Sequence, residues 1–163
     1  MSIIRFLLSR ISKHQDSDSE AAIQAPYKSH LNVFIVDDNI AFANILEGFI
    51  TSKSNTKLRG ITFSIKKYHN AIECLANIYQ RPDVIILDYF LSSNEDETAI
   101  NGDEVFKKII EFNEKQKVVM LSGLDESNIV LQLIQMGLRE YIIKDDDMFD
   151  NLANVILEIA QNK

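Results

Sequence analysis

Cysteine is nearly missing from this chain. The single Cys74 cannot close an internal disulfide, so nothing calls for an oxidising compartment. Basic charge is also short: 17 Lys and Arg against 24 Asp and Glu leave a formal net charge of -7. That balance argues against a nucleic-acid partner, whose phosphates need a basic footprint. No apolar run approaches the ~20 residues that span a bilayer. The apolar patch in the opening MSIIRFLLSR is too short for a signal-peptide core, and no small-residue cleavage site follows it. Proline occurs twice, once in a polar stretch and once at Pro82, behind a helical pattern. These absences leave a cytoplasmic globular protein as the expectation. The material for it is present, because 46% hydrophobic residues can supply a full core and 163 residues hold one domain with a short appendage.

Composition shifts near residue 30. KHQDSDSEAAIQAPYKSH (13–30) is polar, has no sustained apolar period and reads as a linker. The expected organisation is an N-terminal extension at 1–30 and a domain at 31–163. Within the domain, strand-like and helix-like segments alternate. LNVFIVDDN is a buried strand ending in two acids. Residues 39–52 place Phe42, Ile45, Leu46, Phe49 and Ile50 at helical spacing, and TFSIKKY (62–68) alternates like a half-buried or edge strand. Ala71, Leu75 and Ile78 mark a helix that stops before Arg81-Pro82, and DVIILDYF (83–90) is an apolar run with an acid near its end. Val105, Phe106, Ile109 and Ile110 mark the third helix, and KVVMLS (117–122) the fourth strand. Ile129, Val130, Leu133, Ile134 and Met136 mark a helix that Gly137 can terminate. REYIIK (139–144) is the fifth strand, and Leu152, Val155, Ile156 and Ile159 give the closing helix. Five such units predict an α/β fold, a doubly wound five-stranded parallel sheet with helices on both faces.

Ligands of open parallel sheets sit outside the carboxyl ends of the strands. Those ends carry Asp37 and Asp38, Asp88, Ser122 and Lys144, and the second strand ends in nothing comparable. Three neighbouring carboxylates repel unless they share a hard cation. Mg2+ takes oxygen ligands and commonly sits where carboxylates meet a phosphoryl group. Three aspartates, one lysine and Mg2+ sum to zero charge, and one aspartate can then act as a nucleophile toward phosphorus.

VFIVDDN, VIILDYF, VVMLSG and EYIIK, in that order, resemble the receiver domains of two-component response regulators. The likeness covers residues 31–163, and its strength lies in the ordered set at separations of 51 (37 to 88), 34 (88 to 122) and 22 (122 to 144). It implies a (βα)5, flavodoxin-like fold in which Asp88 accepts phosphate from a histidine kinase or histidine phosphotransfer protein. It also implies Mg2+ ligation by Asp38, Asp88 and the carbonyl of Phe90, with Asp37 acting largely through water. Ser122 matches the hydroxyl that moves toward the phosphoryl group, and Tyr141 the aromatic whose rotamer follows. A haloacid-dehalogenase-type phosphatase also uses an aspartate nucleophile and Mg2+, but needs an acid two residues after it. Asn39, Ile40 and Phe90 occupy those positions here. A degenerate receiver acting only as a binding module is opposed by the complete residue set.

Two departures from the family pattern stand out. Asp88 reaches Gly102 only after fourteen residues, through the acid-rich insertion SSNEDETAING, where a short loop with proline is usual. Asp145-Asp146-Asp147 follows Lys144 where proline is usual, and one of these acids is expected to cap the last helix. His14, His30 and His69 are expected on the surface, and Cys74 in the core. With no output domain behind the fifth helix, output is expected through protein contacts on the face of the fourth helix, fifth strand and fifth helix, where Leu131 is expected exposed. At 2–12, Ile3, Ile4, Phe6, Leu7, Leu8 and Ile11 share one face of a helical wheel. So short a helix needs a partner. Protein contact, including a homodimer, ranks ahead of an anionic membrane surface because the segment has few basic residues.

By analogy with the family, water reaches an aspartyl phosphate past the side chains two positions after the acid and two after the hydroxyl. Here these are Phe90 and Leu124, which can exclude a water but cannot activate one. The expected outcome is slow self-dephosphorylation, checked by following phosphoaspartate decay. A Phe90→Asn, Leu124→Glu double variant that decays no faster than wild type sinks the shielding account.

Overall fold

A computed structural model of the chain describes residues 29–91, 101–123 and 127–163, the side chains of 127 and 128 excepted. The apolar segment at 2–12, most of the insertion after Asp88 and Leu124 lie outside the described residues. Five strands, β1 (Ser29–Val36), β2 (Ile61–Tyr68), β3 (Val84–Asp88), β4 (Val118–Ser122) and β5 (Glu140–Ile143), form one sheet of order β2-β1-β3-β4-β5. Every pairing in it is parallel. The helices are α1 (Ile40–Thr51), α2 (Ala71–Asn77), α3 (Gly102–Phe112), α4 (Ser127–Gln135) and α5 (Met148–Gln161).

Strand alternation divides the core in two. Leu31, Val33, Ile35, Val84 and Ile86 face one layer with α1 and α5. Phe34, Val36, Ile85 and Leu87 face the other, with α2, α3 and α4. Burial on both faces is why β1, β3 and β4 read as unbroken apolar runs, while the outer β2 alternates half-buried and exposed positions between two buried ends. None of the helices described is long and apolar enough to cross a membrane.

Several boundaries differ from expectation for local reasons. β1 begins at Ser29 rather than Leu31, because backbone pairing with Ile61 and Thr62 extends it beyond its apolar run. His30 is accordingly a strand residue, with its ring bonded to Thr62 Oγ1 at 2.9 Å and Ser64 Oγ at 3.2 Å. Ile45 is 55% exposed, because α1 turns Ala43, Leu46 and Ile50 to the sheet and leaves Phe42 and Phe49 to flank them. After α2 the chain tightens into a 3-10 turn, Ile78–Gln80, and Arg81 takes the left-handed conformation at φ 50°. Asp147 holds the N-cap position of α5 without a side-chain capping bond. The turn is closed instead by Asp145, whose carboxylate accepts from the Asp147 N–H at 3.0 Å. Gly137 ends α4 as expected, at φ 98°, with the Leu138 N–H on the Leu133 carbonyl and its own N–H on that of Ile134. Leu131 is 45% exposed.

The insertion is pinched at its base. The Gly102 N–H donates to the Tyr89 carbonyl at 2.8 Å, so the inserted stretch leaves and returns at one point beside Asp88. Only glycine fits there: a Cβ on residue 102 would lie 2.5 Å from the Asp88 carbonyl oxygen and 2.7 Å from the Tyr89 Cα. Backbone on both sides leaves no flexible side chain to give way. Gly102→Ala should therefore destabilise the protein by about 2 kcal/mol, read from the midpoint of urea unfolding. A midpoint equal to wild type would show that the pinch is loose.

Candidate functional site

β1 and β3 are adjacent and in parallel register, Val36 opposite Leu87, so both deliver their terminal acids to the same edge. Asp37 follows β1 with its N–H on the Tyr68 carbonyl at 3.1 Å, and is 1% exposed. Asp88, the last residue of β3, is 6% exposed. Asp38 is half-buried beside them, and one carboxylate oxygen from each of the three lies within 4.8 Å of the others. β5 delivers Lys144, whose Nζ is 3.0 Å from Asp88 Oδ1 and 3.5 Å from Asp37 Oδ2.

Burial, more than any neighbour, pushes the Asp88 carboxyl above the ordinary carboxylate range; the hydrogen bond and charge of Lys144 pull it down, and the charge of Asp38 adds a smaller upward push. Asp37 is also raised, by burial first and the charge of Asp88 second, against the pull of Lys144. The three acids and one lysine leave a formal deficit of two positive charges. All three donors are hard oxygens within 4.8 Å of one another, close enough to share one cation directly or through water. The donor set fits Mg2+.

Other expected positions fall nearby. Ser122, fully buried, is the last residue of β4, and its carbonyl accepts the Lys144 N–H at 2.7 Å. Tyr141 is 1% exposed within the second core layer, so its ring faces inward. Phe90 is 43% exposed, its ring edge-on to Tyr89 at 4.9 Å, and its N–H donates to Asp88 Oδ1 at 3.4 Å. Cys74 is fully buried, and burial pushes its thiol up to about 12, which makes it inert.

Three contributors escaped the sequence reading. His69 is half-buried rather than on the open surface, and its Nδ1 donates to the main-chain carbonyl of Asp37 at 3.1 Å. The second strand therefore does end in something comparable, and the signal was positional: the register that puts Tyr68 opposite Val36 sets His69 beside Asp37. Asn39 caps α1 by accepting from the Phe42 N–H at 3.1 Å, while its own N–H donates to Asp37 Oδ1 at 2.9 Å. Phe42 lies under Lys144, 4.4 Å from Nζ to the ring centroid.

Because both raised carboxyls bind protons more tightly folded than unfolded, their ionisation works against the fold. This contribution to stability is present at low pH and is lost as pH rises from the ordinary carboxylate value through the raised ones. Asp88→Asn removes one ionisation and should stabilise the metal-free protein by about 1 kcal/mol at neutral pH. Mg2+ should raise the melting temperature of wild type and leave that of Asp38→Ala unmoved. A metal-free Asp88→Asn protein that melts below wild type would mean that Lys144 more than offsets the repulsion.

The family model described as response regulator receiver domain matches residues 33–156. The chemotaxis protein CheY of Treponema pallidum (strain Nichols) is 23% identical over 147 residues, which cover 86% of this chain and 92% of that protein. A CheY-like receiver domain protein from Methanospirillum hungatei JF-1 has the same fold, with a TM-score of 0.65 at 19% identity over 82% of this chain and 96% of that one. A chain of the CheX-CheY-BeF3-Mg2+ complex from Borrelia burgdorferi gives 0.62 at 22% identity, over 79% of this chain and 88% of that one. At these identities the structures speak for the CheY-like, flavodoxin-like fold alone, while the family match spans most of the chain. The chain belongs to the response regulator receiver family and is a receiver domain of two-component signalling.

Proposed function

We propose that Asp88 is the phosphoacceptor, receiving a phosphoryl group from a phosphohistidine on a kinase or phosphotransfer protein. The observation that carries this reading is the Lys144 ammonium 3.0 Å from Asp88 Oδ1 inside a cluster of three acids. Lys144 engages one oxygen of Asp88 and leaves the other for attack. That oxygen bonds to phosphorus as the phosphorus–nitrogen bond of the donor breaks, and the departing imidazole nitrogen keeps the electron pair and takes a proton from solvent. The products are an aspartyl phosphate and neutral histidine.

Mg2+, held by Asp38, Asp88 and the Phe90 carbonyl with Asp37 acting through water, would supply positive charge against the phosphoryl oxygens. Lys144 offers its ammonium to a second phosphoryl oxygen, and the Ser122 hydroxyl donates to a third. Drawing Ser122 toward the phosphate frees space along β4, and Tyr141, now buried, is the side chain placed to respond. The readout is a change of protein contacts on the face of α4, β5 and α5, where Leu131 is exposed. A partner protein there fits the company of the Borrelia burgdorferi relative, solved with CheX, BeF3 and Mg2+. The working unit in this reading is the domain expected at 31–163, which β1 carries back to Ser29, and the segment before it is an extension whose apolar residues would serve a protein contact.

Acetyl phosphate with Mg2+ should add one phosphoryl group to wild type and none to Asp88→Asn, by intact-protein mass spectrometry. An equal gain on the variant would move the acceptor elsewhere, no gain on wild type would leave a binding module, and multiple turnover of the donor would indicate a phosphatase.

A further inference from the structure

Lys144 is a long, flexible side chain at the rim of the sheet, still 25% exposed, and a lysine so placed ordinarily turns its ammonium to solvent. Here the ammonium points inward toward two acids, with Asp88 Oδ1 at 3.0 Å and Asp37 Oδ2 at 3.5 Å, the limit of a hydrogen bond. The third neighbour is aromatic. Nζ stands over the Phe42 ring at 4.4 Å from its centroid, well within the range where a ring face attracts a cation.

Phe42 is itself tied, through Asn39, to one of these acids, Asp37. Asp37 Oδ1 accepts from the Asn39 N–H at 2.9 Å, and Asn39 Oδ1 accepts from the Phe42 N–H at 3.1 Å. This fixes the first turn of α1 against the end of β1. The Phe42 ring then meets Lys144, and Lys144 returns to Asp37 and Asp88. The contacts close a circuit: Asp37, Asn39, Phe42, Lys144 and back to Asp37.

We infer that Phe42 is a positioning residue for phosphoryl transfer, its ring face holding the Lys144 ammonium beside Asp88. The inference rests on the reading of Asp88 as phosphoacceptor. An aliphatic side chain of similar size fills the volume without attracting the cation, so Phe42→Leu releases Lys144 toward solvent while the helix still packs. A ring that serves only to pack predicts no link to Lys144 at all.

The experiment measures the rate constant of phosphorylation by acetyl phosphate with Mg2+ for wild type, Phe42→Leu, Phe42→Tyr and Lys144→Gln, and for Phe42→Leu combined with Lys144→Gln. Phe42→Leu should be slower by about twofold to thirtyfold, the range that one cation–π contact spans. Phe42→Tyr should keep the wild-type rate, and adding Phe42→Leu to Lys144→Gln should cost nothing further. In the NMR spectrum the Lys144 ε-methylene protons should be shifted upfield by the ring in wild type, lose that shift in Phe42→Leu and keep it in Phe42→Tyr, a readout independent of activity. A wild-type rate in Phe42→Leu, an equal slowing in the Lys144→Gln background, or a Lys144 shift indifferent to residue 42 each overturns the inference. Label on wild type with an unslowed Phe42→Leu defeats this inference alone, whereas no label on wild type defeats the phosphoacceptor reading as well.

Discussion

Two carboxylates buried side by side with one ammonium to balance them are the constraint around which this domain is arranged. Asp37 and Asp88 are almost without exposure, and burial first, then the charge of Asp88 on Asp37 and a smaller push from Asp38 on Asp88, raises both above the ordinary carboxylate range. Lys144, from the end of the edge strand β5, meets part of that cost. The remaining charge deficit is the chemical reason that a divalent cation could be held here, since a site already neutral would gain little from one. The tension is useful because it is incompletely resolved.

The sheet makes such crowding possible. Its order sets β1 beside β3 and β3 beside β4, so the two acids and the serine leave from neighbouring strands. Main-chain bonds then hold the ends together: the Asp37 N–H on Tyr68, the Tyr89 N–H on Leu121 and the Lys144 N–H on Ser122. The groups that oppose one another are carried by backbone paired independently of their charge. The same economy governs the insertion, which the Gly102–Tyr89 bond closes off at its root, so an acidic stretch is accommodated without opening the β3 end. Loop closure grows only slowly with length, and a pinched loop adds little to it.

The outer groups of the site belong to a second layer of support. His69, from the end of the edge strand, secures the Asp37 carbonyl, and Asn39 secures both the Asp37 side chain and the start of α1. Neither needs to meet a phosphoryl group to matter, because each limits how far Asp37 can retreat from its neighbours. Phe42 extends this layer across to Lys144.

Much was legible in the amino-acid order. Apolar runs buried on both faces, each ending in a polar residue, specified the parallel sheet and gathered Asp37, Asp38, Asp88, Ser122 and Lys144 at one edge, because strand periodicity and the direction of parallel strands are local properties. Local pattern could not say which side of a helix wins. Ile45 fits the apolar period as well as Leu46 does, yet only the packing of α1 on the sheet sends one to solvent and the other to the core. Nor could it pair residues that meet across register. His69 with the Asp37 carbonyl and Phe42 with Lys144 are contacts between elements 32 and 102 residues apart (37 to 69, 42 to 144), and no spacing rule links such positions. Composition and periodicity determined which groups the chain could bring to the strand ends. The tertiary structure alone decided how closely they stand and what holds them there, because those distances are set by the packing of whole layers rather than by neighbours in the chain.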